Sequence, residues 1–319
     1  IFVLVSALEN GVADDLRALA PQLPFSVVLP RITAELRDTT ALSEDAARWA
    51  VVAWADALGL ADGAELNAIG QTSTANTGSK TASEVSGYRL IHQWQARGQA
   101  ATDIAFSPDG HQLATVGLDS TARIWDVATA QESLALKQQT GILTSVAWHP
   151  GGLLLALGSG DTGIYLWRWS DLGVEGLRRL RGHTGNVSDV SFLTDGKGLV
   201  SSAHDGTIKL WDIGSGQIEA SLHGHTAAVL AVAVSTDSRT LGSAGGWDRT
   251  VRVWDLKQRQ QLWTLTGHTA QVTSVAFGGR DRTLVSGSWD ETVRIWDPKL
   301  GKPQGVLSEQ GKALRLITS

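Results

Sequence analysis

The sequence predicts a mainly-β chain built as a β-propeller, with five complete four-stranded blades and the start of a sixth. Three observations support this fold class. A Trp recurs five times between residues 125 and 296, at successive spacings of 42, 44, 43 and 42 residues. An Asp precedes each of these Trp residues by six positions. Short β-branched runs alternate with turn residues inside each period, and one four-stranded antiparallel sheet per about 40 to 45 residues is how a propeller blade is built.

The composition fits a large repeat array and limits the classes of partner. The chain has 319 residues, of which 42% are hydrophobic and 18% charged, with 35 Gly, 13 Trp and no Cys. The lack of Cys excludes disulfides and thiolate metal sites. Residues 1–69 carry 10 acidic and 4 basic side chains, whereas the remainder is close to neutral. Because no broad positive field is present, we expect no nucleic-acid partner.

The segment 1–69 is predicted to form short helices that precede the repeats. Residues 43–59 show an N-cap, first-turn acids, apolar positions at helical spacing and a final Gly. Arg31–Arg37 and Ala13–Ala20 are further helical candidates beside Pro residues. The apolar run Ile1–Leu8 is too short to span a bilayer and has no basic region before it. We therefore expect a soluble, cytoplasmic chain, with residues 70–87 as a polar, flexible linker.

Residues 88–319 contain the repeats, at about 88–128, 129–172, 173–216, 217–258 and 259–301, with a partial copy at 302–319. Turn residues divide the fifth period into four predicted strands. These strands are Val272–Phe277, Thr283–Ser288, Thr292–Trp296 and Pro303–Leu307.

The repeat motifs resemble the WD40 family, whose repeats pair a Gly-His near the start with a Trp-Asp at the end. The ends here read TARIWD, GIYLWR, TIKLWD, TVRVWD and TVRIWD. Gly-His occurs at 182–183, 224–225 and 267–268. The resemblance covers residues 88–319, and it implies a radial array of blades that binds protein or peptide partners on its faces and rim, without a cofactor.

The resemblance also implies a hydrogen-bonded tetrad of Trp, Ser or Thr, His and Asp that locks each blade. The physical reason is that a buried Trp N–H needs an acceptor and a buried Asp needs donors. Carried over by position, the tetrads are Trp211, Ser201, His183 and Asp205; Trp254, Ser243, His225 and Asp248; and Trp296, Ser286, His268 and Asp290.

Three repeats depart from this pattern. Repeat four has one extra residue at Gly245-Gly246, which predicts a bulge before Asp248. Repeats one and two have Arg97 and Gln139 in place of the His. Repeat two also has Leu157 for the hydroxyl and Arg168 after its Trp, so the first two blades are expected to depend mainly on apolar packing.

In the family, the residue before the tetrad Asp points to solvent on one face of the propeller. The matching positions are Leu118, Gly160, His204, Trp247 and Trp289, and Asn186 and Gln271 are expected to flank them. Aromatic side chains at such places are typical anchors of binding. The alternative is that the two Trp rings lie flat on neighbouring blades and cover the core.

The leading functional hypothesis is a non-catalytic scaffold that binds proteins or peptides. The alternative is a sensor or regulatory propeller of a larger signalling enzyme, a kinase, protease or nucleotide-switch NTPase, whose catalytic domain lies upstream. Recurrence of Ser, His and Asp in successive blades favours a structural role over catalysis. A metal site at His223-Gly224-His225 is disfavoured because the tetrad uses His225. The starts of the inner strands are apolar or small, which disfavours a propeller enzyme (Ala101, Leu143, Val187, Val229 and Val272).

The ends of the chain predict an open arc of blades within a longer protein. The sequence has no Met, and Ile317-Thr318-Ser319 matches Val272-Thr273-Ser274 at the beginning of the previous blade. Arg89–Trp94 has the pattern of an outer strand without a blade of its own. Closed propellers have about 4 to 8 blades, and rings of this family most often have about seven.

Overall fold

The computed structural model of the chain describes residues 28, 30–35, 100–137, 141–170, 173–278 and 281–308. Residues 28 and 30–35 are helical and overlap the predicted helix Arg31–Arg37, and Val28 and Ile32 are buried. The other predicted helices, the linker 70–87, the strand at Arg89–Trp94 and the beginning of a sixth blade lie outside the described residues. Those parts of the domain scheme stay predictions.

The described residues contain five four-stranded antiparallel sheets, each with its strands in sequence order. Blade one is β1 (Ala101–Phe106), β2 (Gln112–Gly117), β3 (Ala122–Asp126) and β4 (Glu132–Leu136). Blade two is β5 (Leu143–Trp148), β6 (Leu154–Ser159), β7 (Ile164–Ser170) and β8 (Gly173–Leu180). Blade three is β9 (Val187–Phe192), β10 (Gly198–Ala203), β11 (Ile208–Asp212) and β12 (Ile218–Leu222). Blade four is β13 (Val229–Val234), β14 (Thr240–Gly245), β15 (Val251–Asp255) and β16 (Gln260–Leu265). Blade five is β17 (Val272–Gly278), β18 (Thr283–Ser288), β19 (Thr292–Asp297) and β20 (Lys302–Ser308). The prediction of five propeller blades is confirmed.

A blade is not the same unit as a sequence repeat. The outer strand β4 of blade one comes from the beginning of the second repeat, and it pairs with β3 from the end of the first. The same offset applies to the later blades. Each blade is therefore completed by the repeat that follows it, which links neighbouring repeats through backbone hydrogen bonds.

Apolar clusters join each blade to the next. Between blades three and four, Val200, Leu210 and Leu222 on one sheet pack against Val232 and Trp254 on the other. Equivalent clusters join blades one and two, two and three, and four and five. Both faces of an interior blade are thus covered, so its second and third strands are buried along most of their length.

Polar side chains also join the inner strands β1, β5, β9 and β13 around the central channel. The hydroxyl of the second residue donates to the first carbonyl of the next inner strand, as from Thr102 to Leu143 at 2.7 Å and from Thr144 to Val187 at 2.6 Å. The hydroxyl of Ser188 likewise donates to the carbonyl of Val229. In β13 the corresponding position is Leu230, whose side chain has no group to donate.

The turn after the third strand depends on the Asp that follows the repeated Trp. In four blades the carboxylate of this Asp accepts backbone N–H groups of the turn. Among the described residues these N–H groups have no partner in a neighbouring strand, so the Asp supplies the hydrogen bonds that strand pairing would otherwise provide. These bonds join Asp126 to Thr129 at 2.7 Å, Asp212 to Ser215 at 2.6 Å, Asp255 to Gln258 at 2.6 Å and Asp297 to Lys299 at 2.8 Å. Blade two has Arg168 at this position, and its strands continue to the pairs Trp169–Val174 and Ser170–Gly173.

Candidate functional site: the tetrad face

The four side chains of each predicted tetrad lie in one hydrogen-bonded chain in blades three, four and five. In blade three, His183 Nδ1 lies 2.9 Å from Asp205 Oδ2 and His183 Nε2 lies 2.7 Å from Ser201 Oγ. Trp211 Nε1 donates to the same Ser hydroxyl at 2.8 Å. The His–Asp, His–Ser and Trp–Ser distances are 2.6, 2.8 and 2.8 Å in blade four (His225, Asp248, Ser243, Trp254). They are 2.9, 2.8 and 2.8 Å in blade five (His268, Asp290, Ser286, Trp296).

In blades three and five, the surroundings of the tetrad favour a neutral His beside an ionised Asp. Burial raises the pKa of Asp290, but hydrogen bonds from Thr292, Thr269 and His268 outweigh burial and lower this pKa to about 2. The pKa values of Asp205 and Asp248 are lowered for the same reason. Burial lowers the pKa of His268 although Asp290 opposes that shift, and His183 responds in the same way. His183 and His268 can then each donate from Nδ1 to the Asp and accept at Nε2 from the Ser.

This arrangement is chemically unsuited to nucleophilic catalysis. The Ser hydroxyls of the three tetrads are fully buried. Each also accepts the N–H of a buried Trp, so it cannot approach a substrate in solvent. The Ser, His and Asp groups hold three segments of one blade together instead: the segment before the inner strand, the second strand and the turn that follows it.

The extra residue of repeat four lies in a turn and leaves its tetrad intact. The prediction of a bulge before Asp248 is corrected, because β14 keeps its pairing with β15 as far as Ala244 opposite Val251. The turn beyond it is lengthened and closes with a hydrogen bond from Gly245 N to Thr250 O at 2.9 Å. A turn absorbs an added residue without changing which strand residues face the core.

Blades one and two use other polar groups where the tetrad is incomplete. In blade one, Trp125 Nε1 donates to Thr115 Oγ1 at 2.8 Å, and Asp119 pairs with Arg123 at 2.6 Å. In blade two, Tyr165 and Arg179 both bond to Asp161. The Tyr165 Oη–Asp161 Oδ2 distance is 2.5 Å and the Arg179 Nη2–Asp161 Oδ2 distance is 3.0 Å. The expectation that these blades depend mainly on apolar packing is therefore incomplete. Arg97 and Gln139 lie outside the described residues.

We define the tetrad face as the end of the propeller formed by the five turns that carry the tetrad Asp. Each turn is tied to the segment before its own inner strand by one backbone hydrogen bond, which places all five at the same end. The donors and acceptors are Leu118 to Ala100, Gly160 to Ile142, His204 to Asn186, Gly246 to Ala228 and Trp289 to Gln271. By this criterion Gly246 is the equivalent of Trp289, and Trp247 is the additional residue of blade four.

The two Trp residues of the tetrad face are largely in solvent. Trp247 is 73% exposed and Trp289 is 55% exposed. Leu118, His204 and Asn186 are also exposed. Gln271 is only 8% exposed and contributes its backbone carbonyl to the N–H of Trp289. The face thus combines two exposed aromatic rings with polar neighbours.

Among the described residues, two carboxyl groups line the central channel, and neither belongs to the repeat motifs. Asp103 accepts the N–H of Val146 at 2.8 Å, and Asp189 accepts the N–H of Val232 at 2.9 Å. Burial and the neighbouring Asp103 raise the pKa of Asp189 to about 7. These groups are the third residues of β1 and β9, whereas the prediction for the channel rested on the first residue of each inner strand. The hydroxyl residue that recurs at the second position of β1, β5 and β9 is the sequence feature that indicates a polar channel lining.

Two further properties of the described ranges bear on function. No helix within them is long and apolar enough to cross a membrane. No group of three or more His, Cys, Asp or Glu side chains in them is arranged to hold a metal ion. His225 is bonded on both ring nitrogens, to Asp248 and to Ser243, so it has no free nitrogen for a metal shared with His223.

Comparison with known proteins identifies the repeats. The family described as "WD domain, G-beta repeat" matches residues 89–126, 131–168, 175–212, 216–255 and 259–297, together more than half of the chain. Among curated relatives, the nuclear distribution protein PAC1 of Arthroderma otae is 32% identical over 164 residues, which are 48% of this chain and 35% of that protein. The guanine nucleotide-binding protein subunit beta-1 of Caenorhabditis briggsae is 32% identical over 137 residues, 42% of this chain and 40% of that protein.

The chain thus spans less than half the length of these relatives. Its repeat motifs, its five four-stranded sheets and the five matched segments agree with one another. This chain belongs to the WD40-repeat family.

Proposed function

We propose that this chain is a non-catalytic scaffold that binds a protein or peptide partner at its tetrad face. The observation that carries the proposal is the exposure of Trp247 and Trp289, at 73% and 55%, on turns of adjacent blades. The other Trp residues of blades four and five include Trp254 and Trp296, which are buried in the core. The apolar surface of an exposed aromatic side chain is removed from water only when a partner covers it.

The two Trp residues stand on rigid turns, which favours binding. Trp289 is held by its own N–H bond to Gln271, and the next residue, Asp290, is fixed by His268. Trp247 lies between Gly246, which bonds to Ala228, and the tetrad residue Asp248. A side chain whose backbone is already ordered loses less entropy when a partner binds. The tetrads thus act indirectly, by holding the binding turns in place.

The remaining exposed groups of the face suit a partner of mixed polarity. Leu118 and Ile142 add apolar area on blades one and two, and His204 and Asn186 add hydrogen-bonding groups on blade three. Arg249 and Glu291 contribute one charge of each sign beside the two Trp residues. An apolar centre with polar neighbours is typical of protein-binding surfaces. We do not include the buried side chain of Gln271 in the contact surface.

A cytoplasmic location is part of the same proposal, since no Cys is present to need an oxidising compartment. The alternative of a regulatory propeller within a signalling enzyme depends on sequence beyond this chain. A kinase or NTPase signature in the adjoining coding sequence would favour it.

Peptide selection tests the proposed surface. A phage library of random dodecapeptides is selected on the wild-type chain, and the recovered peptides are then measured against W247A, W289A and W263A by fluorescence anisotropy. Loss of an aromatic anchor costs about 2 kcal/mol or more, about thirtyfold in Kd. We expect losses of that size for W247A and W289A.

Trp263 provides the matched control because it is an exposed Trp on the outer strand β16, away from the tetrad face. W263A is expected to bind the selected peptides as the wild type does. If all three variants bind equally well, or W263A alone loses binding, the tetrad face is not the binding site.

A further inference from the structure

Blade two has a longer hairpin between its third and fourth strands than the other blades have. β7 and β8 have 7 and 8 residues, whereas β11 and β12 of blade three have 5 each. The difference begins at Arg168, which stands where the other four blades have the Asp that accepts the N–H groups of the turn. Arg cannot accept those bonds, and the strand pairing continues past the usual turn position.

The hairpin leaves an open groove against blade three, which we call the hairpin groove. It has a volume of about 350 Å³ and lies between β6–β8 of blade two and the turn after β11. Its apolar lining is Leu154, Leu166, Leu177 and Ile213. Leu166 is buried in the cluster between blades two and three, while Leu154 and Ile213 are only partly buried at its edge.

The groove is open because β8 has Gly176 at the position opposite Arg168. Leu154, Arg168 and Gly176 face one another across the three strands, so they belong to one row of the sheet. Gly176 is exposed, and a Cβ placed on it would meet no atom within 4 Å. Any larger side chain at this position would extend into the free space.

The edge of the groove is basic. Arg168 is exposed, and within the described part of the chain no hydrogen bond or ion pair engages its guanidinium. Arg178, the second Arg in the lining, donates to the carbonyls of Ile213 and Gly214 at 3.2 and 3.0 Å. Hydrogen bonds from Ser215 are the main reason that the pKa of Asp212 is lowered, and the charge of Arg178 lowers it further. Among the described residues, Arg168 therefore has no partner that compensates its charge, and it lies beside apolar surface.

We propose that the hairpin groove binds an extended peptide segment of a partner protein, in which apolar side chains are flanked by Asp or Glu. The apolar side chains would cover Leu154 and Ile213 over the space at Gly176. A carboxylate would pair with Arg168, whose planar guanidinium suits bidentate binding of carboxylates. This surface is on the rim of blades two and three, and it is separate from the tetrad face.

A defined probe tests the proposal on the full chain. The probe is a fluorescein-labelled, end-blocked octapeptide with two central leucines and three acidic residues, Asp or Glu, on each side. Two matched peptides have Lys in place of the acids or Ser in place of the leucines. We expect the acidic leucine peptide to bind at least tenfold more tightly than either matched peptide, as measured by fluorescence anisotropy.

Three variants locate the binding site. R168D introduces the residue that the other four blades carry, and G176V fills the open space with a side chain that suits a strand. Each is expected to weaken binding at least tenfold. K257E alters an exposed cation in the β15–β16 turn of blade four and is expected to bind as the wild type does. Far-ultraviolet circular dichroism verifies that all three variants fold.

Three outcomes would overturn the proposal. The first is equal binding of the acidic and the Lys peptides, and the second is undiminished binding by folded R168D and G176V. The third is occupation of the groove by another segment. It is tested by placing a benzophenone photo-crosslinking residue at position 176 and identifying the crosslinked segment by mass spectrometry. A crosslink to residues 1–69 of the same chain, or to a second copy, in place of the peptide would show that the groove is already occupied.

Discussion

A hydroxyl introduced into blade two provides a test of the tetrad chemistry. Trp167 is buried, and its Nε1 has no hydrogen-bond partner among the described residues. The other four blades place a hydroxyl 2.8 Å from the equivalent Trp Nε1. In blade two that position is Leu157. Leu157 pairs with Tyr165 in the same register in which Ser201 pairs with Lys209 in blade three. L157S therefore places an acceptor beside the unpaired N–H.

The informative quantity is the difference in unfolding free energy between L157S and L157A. Leu157 is fully buried, so truncation to Ala costs about 2 to 5 kcal/mol. The same volume is lost in L157S, but pairing a buried N–H is worth about 1 to 3 kcal/mol. Part of that gain is lost in burying the hydroxyl itself. We expect L157S to be about 1 kcal/mol more stable than L157A, although both are less stable than the wild type.

Urea titrations followed by Trp fluorescence measure this difference. Leu155 is the matched control, because it is equally buried in the same strand, directly opposite Trp167, at a position where the other four blades also have Leu. We expect L155S to be less stable than L155A, the usual order at an apolar site. The reasoning is refuted if L157S is no more stable than L157A, or if both positions show the same order.

The remaining predictions concern a tetrad, the channel and one turn. H268A leaves Asp290 and Ser286 without their partner and should cost about 1 to 3 kcal/mol, whereas H223A, at an exposed position, should not change the melting temperature. An unchanged melting temperature for H268A would contradict the tetrad assignment. The pKa of Asp189 is about 7 in the folded chain and 3.8 in the unfolded chain, so folding binds a proton between these values and stability falls as pH rises from about 4 to about 7. The difference between these pKa values corresponds to about 4 kcal/mol. The unfolding free energy of the wild type, relative to that of D189N, should therefore fall by about this amount between pH 4 and pH 8 in unfolding titrations. A difference that stays constant with pH would show that Asp189 does not retain its proton. G196A should destabilise by more than about 1 kcal/mol in urea titrations, because residue 196 has a φ of 70° and a Cβ there would overlap the His149 ring; a stability equal to wild type would show that the turn relaxes freely.

The comparison of wild type with D189N is needed because other groups titrate in the same range. The pKa values of His183 and His268 are lowered in the folded chain, so they favour folding above pH 6.5 and destabilise it as pH falls. This trend is opposite to that of Asp189. Asp103 is the other titratable group that lines the channel among the described residues, and its charge is part of the cause of the Asp189 shift.

The repeat pattern was sufficient to predict the blades and to select the tetrad side chains. Trp211 and Ser201 face each other because the second and third strands form a simple hairpin, whose register follows from alternation along the chain. His183 precedes the inner strand of the same blade by only a few residues. All four groups therefore lie within one repeat, and their spacing can be read without knowing how the blades are arranged.

Features that join blades could not be read in this way. Asp103 and Asp189 belong to blades one and three, and only the radial arrangement of the inner strands brings their charges close enough to interact. The hairpin groove arises in a similar way, since Arg168 and Ile213 belong to different blades. Spacing within one repeat contains no information on such pairs.

The sequence by itself determined the number of blades, their strands and the tetrad residues, because these depend on contacts that recur with the period of the repeat. The tertiary structure decided how the exceptions are accommodated. It placed the added residue of blade four in a turn, with Trp247 in solvent, and it gave Asp161 the partners Tyr165 and Arg179. An exception is resolved by whichever neighbouring groups and free space lie around it, and those are known only once the blades are packed together.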